Sequence, residues 1–291
     1  MQSIANPSSV SLIVTTYNWP QALALVLASA SRQTRKPDEV IVADDGSGTD
    51  TATLLRAIAT RYPVPLRHAW QEDLGFRAAR SRNLAIAAAS GEYVLLLDGD
   101  MVLHPRFIAD HLAVAKRNAF VQGSRVLIAR EFSERMLRDP ALHPGFLSGG
   151  IQRRRHTLRV PLLSKLYLRA RGDKPRMIKS CNQGWWRSDL LELNGFDERM
   201  LGWGREDDEL AARAGYAGIT CRQLRLSGLA FHLHHEERHS DGASCNDAYL
   251  AQTHAQRLTR CDSGIDGHLA EFRSHPLPDL RLQPAAQAAS G

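Results

Sequence analysis

Cysteine is scarce: four residues in 291, at Cys181, Cys221, Cys245 and Cys261, with no C-x-x-C pair among them. That spacing excludes a disulfide framework and a thiolate zinc site, and it suits a reducing compartment. Long apolar runs are missing too. None reaches a dozen residues, whereas a bilayer-spanning helix needs about 20. The opening residues, MQSIANPSSV, show no basic stretch followed by an apolar core, so the reading is a cytoplasmic chain without a signal peptide. A nucleotidyltransferase would carry a glycine-rich loop after its first strand, and VTTYNWP has no glycine.

Positive charge is in surplus, with a net +6, and it is unevenly spread. Between Gln152 and Lys179 there are ten Lys/Arg and one acid, Asp173, while Glu198 to Glu209 is acidic. The basic stretch reads either as a solvated, partly mobile segment or as a surface for an anionic partner. Its arginines are interleaved with Leu162, Leu163 and Leu166. The expectation is therefore peripheral contact with a membrane surface or a lipid-linked acceptor, and no nucleic acid.

Along the first 130 residues apolar runs alternate with helical patterns in the α/β manner. SLIVTTY, DEVIVADDGS, PLRHAWQ and EYVLLLDGDM read as strands, with helices over about 20–33, 51–62 and 77–89 between them. Near-continuous apolar strands separated by helices imply an α/β fold with a mostly parallel central sheet flanked by helices. Ligands bind beyond the carboxyl ends of such strands. Those ends carry Thr15-Thr16-Tyr17, Asp44-Asp45 and Asp98-Gly99-Asp100. The expected division is 1–130 as one half of a single domain, 131–179 as a variable basic connection, 180–275 as a second half, and 276–291 as a disordered tail.

Asp98 and Asp100 end a buried strand, where two carboxylates repel and are costly to desolvate. A hard cation, Mn²⁺ or Mg²⁺, would neutralise them and keep positions open for substrate phosphates, with Gly99 leaving room for a diphosphate. The plain alternative is a turn in which the aspartates cap the next segment.

Taken in order, SLIVTTYNWP, DEVIVADDGS and GFRAARSRNLAIAAASGEYVLLLDGDM resemble the family 2 inverting glycosyltransferases, which have a GT-A nucleotide-sugar-binding fold. Within that family the likeness is to the bacterial chondroitin polymerase modules, and GWGREDDEL resembles the acceptor motif of the β-1,4-galactosyltransferases. The resemblance spans about 10–130 and 180–236. It implies a UDP-sugar donor held by 1–130 and an acceptor held by 180–275. It implies Thr15, Tyr17 and Asn18 at the nucleoside, Asp45 at the uracil ring with Asp44 beside it, and Arg77 and Arg82 at the nucleotide and diphosphate. Asp98, Gly99 and Asp100 match the metal and diphosphate motif, Asp100 as a metal ligand. Arg82 equally suits a buried charge pair with a strand-end aspartate.

Sugar transfer with inversion needs one base to take the acceptor's proton. A helix N-terminus lowers a carboxylate's pKa, whereas neighbouring acids raise it, and Glu206, Asp207 and Asp208 are adjacent. Plain N-terminal charging of a helix explains such acids equally well, but Trp203 just ahead of them suits stacking on a pyranose ring. By resemblance Asp207 is the base, Glu206 and Asp208 bind the acceptor, and Trp203 forms part of the sugar platform. Arg205 departs from the glycine of that motif.

LAFHLHHEERH contains a literal H-E-x-x-H at His235 to His239, a zinc protease pattern if it is helical. The resemblance instead points to one histidine completing the metal site: His232, with His234 and His235 as register alternatives. Trp185 and Trp186 match a segment under the donor sugar or belong to the core, with Asn182 to Gly184 the better site candidate. The resulting expectation is a metal-dependent inverting enzyme moving a hexose or N-acetylhexosamine to a glycan hydroxyl in bacterial surface polysaccharide or lipopolysaccharide synthesis, at the inner face of the membrane. A zinc protease and a non-catalytic glycan-binding protein are the rivals.

Overall fold

The computed structural model describes residues 6–171, 178–236 and 245–283. Strands β1 (Val10–Thr16), β2 (Glu39–Asp44), β3 (Leu66–Trp70) and β4 (Tyr93–Asp98) lie parallel in the order β3-β2-β1-β4. Helices α1 (Pro20–Ser31), α2 (Thr49–Ala59) and α3 (Ala78–Ala88) make the crossovers. Proline at the start of α1 suits a first turn whose N–H groups have no partner within the helix.

The chain continues through β5 (Met101–Leu103), α4 (Phe107–Leu112), β6 (Ala119–Gln122), β7 (Arg125–Leu127), α5 (Arg130–Arg138) and α6 (Pro161–Arg171). Then come β8 (Asn182–Trp186), α7 (Arg187–Leu193), α8 (Glu206–Tyr216), β9 (Thr220–Gln223), β10 (Ala230–His232), α9 (Asp247–Gln256) and α10 (Asp266–Ser274). Strands β8, β6 and β9 extend the sheet beyond β4, β8 running antiparallel to both neighbours. A second small sheet has the order β5-β10-β7.

The continuous apolar character of β1 and β4 reflects burial on both faces. Leu12, Val14 and Leu95 pack with Leu23, Val26 and Leu27 of α1 on one side. Ile13, Val94 and Leu96 pack with Ala85 and Ile86 of α3 and Leu190 of α7 on the other. Both tryptophans of β8 belong to these cores. Trp185 stacks on Phe120 with ring centroids 4.1 Å apart, and Trp186 meets Tyr93 edge-on at 5.4 Å. Neither is available to a sugar. Asn182 and Gln183, expected near the donor, are buried as well. Asn182 donates to the Ser124 and Gly228 carbonyls, and Gln183 donates to Gln122.

The described part of the basic connection is anchored: Ile151 is buried and bridges Ile128, and Arg159 makes a bidentate pair with buried Asp110. One expectation needs correction. Residues 277–282 are not a free tail. The Leu66 backbone N–H donates to Asp279 and the Arg67 guanidinium to the Leu277 carbonyl, tying the segment to edge strand β3, and Asp279 caps the short 3-10 turn Leu280–Leu282. Residues 284–291 lie outside the described residues.

Candidate active site

The parallel register brings the acids together. Thr15 at the end of β1 pairs with Asp98 at the end of β4, and Thr16 pairs with Asp44 at the end of β2. Thr15 Oγ1 donates to Asp98 Oδ1 at 3.0 Å. A Cβ on Gly99 would strike the Thr15 carbonyl oxygen, so glycine is required by the approach of β1. That is a different reason from the diphosphate space expected of it.

Asp100 points to a second centre. Its Oδ2 lies 3.3 Å from His232 Nε2 and 3.2 Å from His235 Nε2, while Oδ1 is buried without a partner. Residues 233–236 belong to neither helix nor strand, and Leu233 donates to the Asp100 carbonyl as the chain leaves β10. This bend lets His232 and His235 converge. His234 turns away, its backbone N–H donating to Ser133 Oγ. The expected metal ligands, Asp100 and His232, are thus joined by His235.

His235 Nδ1 faces the Glu236 carbonyl at 2.9 Å, and the ring meets Trp19 edge-on. A protonated Nδ1 donating there leaves Nε2 for a cation. His235 and Glu236, the described part of the H-E-x-x-H pattern, belong to neither helix nor strand; Glu237 to His239 lie outside the described residues.

The electrostatics of this trio suit a cation. Burial pushes the Asp100 carboxyl up, but hydrogen bonds from His232 and His235 outweigh it and hold it well below the usual carboxylate range. Bonding to Asp100 raises His235 to about 9, so a proton neutralises the pair. One carboxylate and two imidazoles, with ligand atoms within 4.8 Å of one another, form a donor set suited to Mn²⁺. All-oxygen sites suit Mg²⁺ better.

Arg82 connects the strand ends to α8. Its guanidinium lies 3.4 Å from Asp98 Oδ1 and 3.3 Å from Glu206 Oε1, over the Phe196 ring. It is buried and holds two acids in place, which fits the charge-pair alternative for this arginine. Glu206 is buried likewise, with Oε2 unpartnered.

Asp207 accepts from the backbone N–H groups of Ser180 (3.1 Å) and Asp208 (2.9 Å). Burial first, then the charges of Glu206 and Asp208, raise its carboxyl to about 7, against the lowering by Arg82 and Ser180. Asp208 is half exposed and Trp203 is 54% exposed, both ahead of or on the first turn of α8.

The loop before α8 is left-handed at Gly202, Gly204 and Arg205, with φ of 76°, 102° and 75°. This explains the glycine in the related motif. Arg205 occupies that backbone while pairing with Asp247 at 2.7 Å and Asp208 at 3.4 Å.

On the nucleoside side, Asp45 accepts from Gln71 Nε2 and from the Arg77 backbone N–H, and burial raises its pKa. The Arg77 guanidinium bonds the Glu72 carbonyl. Tyr17 is 42% exposed and donates to Asp73. Asn18 joins the β1 and β2 loops, accepting from Gly48 and donating its backbone N–H to Ser47. Asp44 is a correction: at 0% exposure it accepts from the Ser47 N–H and bonds His68 at 2.8 Å, so it shapes the β2 turn and touches no ligand.

Two family models match the chain: "Glycosyl transferase family 2" over residues 11–172 and "N-terminal domain of galactosyltransferase" over 174–236. Among curated relatives, the validoxylamine A glucosyltransferase of Streptomyces hygroscopicus subsp. limoneus is 27% identical over 81% of this chain and 54% of its own length. The chondroitin synthase of Escherichia coli is 25% identical over 77% of this chain and 34% of its own length. The hyaluronan synthase of Pasteurella multocida is 36% identical over 36% of this chain and 11% of its own. The chain thus spans little more than half of these relatives at most.

Two solved structures share the fold. A mannosyltransferase from Pyrobaculum calidifontis in complex with GDP-Man and Mn²⁺ gives a TM-score of 0.56 at 18% identity, covering 95% of this chain and 78% of that one. GalNAc-T7 with UDP, GalNAc and Mn²⁺ gives 0.59 at 13% identity, covering 94% and 56%. The architecture is that of the GT-A glycosyltransferases.

Proposed function

The chain belongs to glycosyl transferase family 2, and from that premise we propose that it transfers a hexose or N-acetylhexosamine from a UDP-sugar to a glycan hydroxyl with inversion at the anomeric carbon. The observation that carries this is the linkage through Arg82: one guanidinium touches Asp98, at the donor strand ends, and Glu206, the neighbour of a carboxylate raised to about 7. One buried arginine thus joins an acid at the donor strand ends to the neighbour of a candidate base, which supports donor and acceptor chemistry meeting in one crevice.

In this reading Asp207 takes the acceptor hydroxyl's proton on a carboxylate oxygen. The N–H groups of Ser180 and Asp208 fix its orientation and leave each oxygen a second lone pair. Trp203 offers the acceptor ring a flat face and Asp208 a hydrogen-bond acceptor. Tyr17, Asp45 and Arg77 line the nucleoside side, Asp45 facing the uracil ring. Asp100, His232 and His235 would hold Mn²⁺, which supplies Lewis-acid charge against the departing diphosphate. Surface polysaccharide or lipopolysaccharide assembly, on the cytoplasmic side of the membrane, is the setting this reading fits.

The test is a panel of UDP- and GDP-sugars, incubated with the chain and glycan acceptors in Mn²⁺ or EDTA. Transfer from one or more UDP-sugars that stops in EDTA supports the reading. Turnover of GDP-sugars alone, or turnover indifferent to EDTA, overturns the donor or the metal assignment. Donor binding without any turnover would favour a glycan-binding protein.

A further inference from the structure

Between Pro140 and Ala170 the sequence holds six Lys/Arg and no Asp or Glu. The segment ends in α6, which is amphipathic in an unusual sense. Ser164 and Leu168 face the protein, whereas Leu162, Leu163 and Leu166 face outward, Leu162 at 71% exposure. Phe146 and Leu147, earlier in the same acid-free stretch, are exposed as well. Arg153, Arg154 and Arg155, just before α6, and Lys165 and Arg169 within it, are exposed. Leucines left in water cost free energy that a monomer in solution does not recover.

We propose that α6 and the preceding Arg153–Arg155 turn form a docking surface for an anionic lipid bilayer, the leucines entering the headgroup boundary and the basic residues meeting the lipid phosphates. The charge pattern selects this occupant. A second copy packed about a two-fold axis would bring the same acid-free surface against itself, placing like charges face to face. An anionic bilayer matches both parts, since basic residues and an apolar helix face act together at such surfaces. The positive field there is felt locally: partial burial and then Arg155, Arg153 and Arg225 lower the pKa of His156.

The surface is tied to the catalytic half. Gln152 donates to the Leu127 carbonyl of β7 and Ile151 bridges Ile128. Strand β7 pairs with β10, which carries His232. Arg159 anchors the start of α6 to Asp110, whose Oδ2 also accepts from the Gly228 N–H, just ahead of β10. A docked bilayer would therefore lie on elements hydrogen-bonded to the strand of the candidate metal site.

Sedimentation of the full chain with phosphatidylglycerol vesicles, and with phosphatidylcholine vesicles, tests this. The expected result is binding to the first that falls steeply with salt, and little to the second. Arg153→Ser/Arg154→Ser/Arg155→Ser should weaken partitioning about a hundredfold, and Leu162→Ser/Leu163→Ser/Leu166→Ser at least about tenfold. These positions are exposed, and circular dichroism should show both variants folded. Asp207→Asn should bind vesicles like the parent, which separates this proposal from the catalytic one. Equal sedimentation with both lipids, binding unchanged in the two triple variants, or a leucine-dependent dimer that does not bind vesicles would overturn it.

Discussion

In the proposed reading Asp207 is the base, and its carboxyl group makes the free energy of the fold depend on pH in a specific direction. Its folded pKa is raised from 3.8 to about 7, so between those values the folded chain binds a proton that the unfolded chain has lost. The penalty of holding it ionised is absent below the unfolded pKa, grows as pH rises, and is complete above the folded pKa. Asp207→Asn should therefore melt at a higher temperature than the parent above about pH 7, with the difference vanishing near pH 4. Transfer by the parent should rise with pH through about 7 and level off, and the Asn variant should lose at least ~10²-fold in rate at the plateau. Melting scans and a pH–rate profile check both. Identical melting curves at all pH values would contradict the raised pKa. The acids of α8 were legible in sequence, but not their division of labour: only the fold shows Glu206 buried against Arg82 and Asp208 left in solvent.

At the scale of elements, the end of β10 explains which of the candidate histidines gather at Asp100. A continued strand would put His232 and His234 on one face. The chain bends after His232, so His235 returns to Asp100 and His234 leaves. Calorimetric titration of UDP in Mn²⁺ should show binding lost in Asp100→Ala and weakened at least ~10-fold in His235→Ala. His234→Ala should be unchanged. Tight UDP binding by Asp100→Ala, or a loss confined to His234→Ala, would refute the trio.

The loop entering α8 yields a second comparison. Arg205→Gly relieves a left-handed backbone that costs a non-glycine residue about 1 kcal/mol, while losing two exposed ion pairs worth about 0–1 kcal/mol each. Arg205→Ala loses the pairs and keeps the strain. Denaturant titration should rank Arg205→Ala below Arg205→Gly, and the reverse order would show that the strain is not felt.

For the molecule as a whole, the parallel half of the sheet was readable because buried strands and crossover helices leave continuous apolar runs. The other half was not. The antiparallel entry of β8 beside β4 depends on a long return of the chain that leaves no local pattern, and so the sequence left Trp185 and Trp186 open between the core and a segment under the donor sugar. In the sheet they are core. Trp185→Ala should cost about 3–5 kcal/mol in denaturant titration, and a folded variant with an altered donor KM instead would return Trp185 to the site. Residues 277–282 were misread for a similar reason: what orders them is edge strand β3, distant in sequence.

In the proposed reading, one displacement, one base and one cation site make a stereochemical commitment for the molecule. The measurement that bears on it most directly is the proton NMR coupling at the anomeric carbon of the linkage formed from an α-linked UDP-sugar in Mn²⁺. A β-linked product, lost when Asp207 becomes Asn, is the expected result. An α-linked product, or normal transfer by the Asn variant, would contradict it.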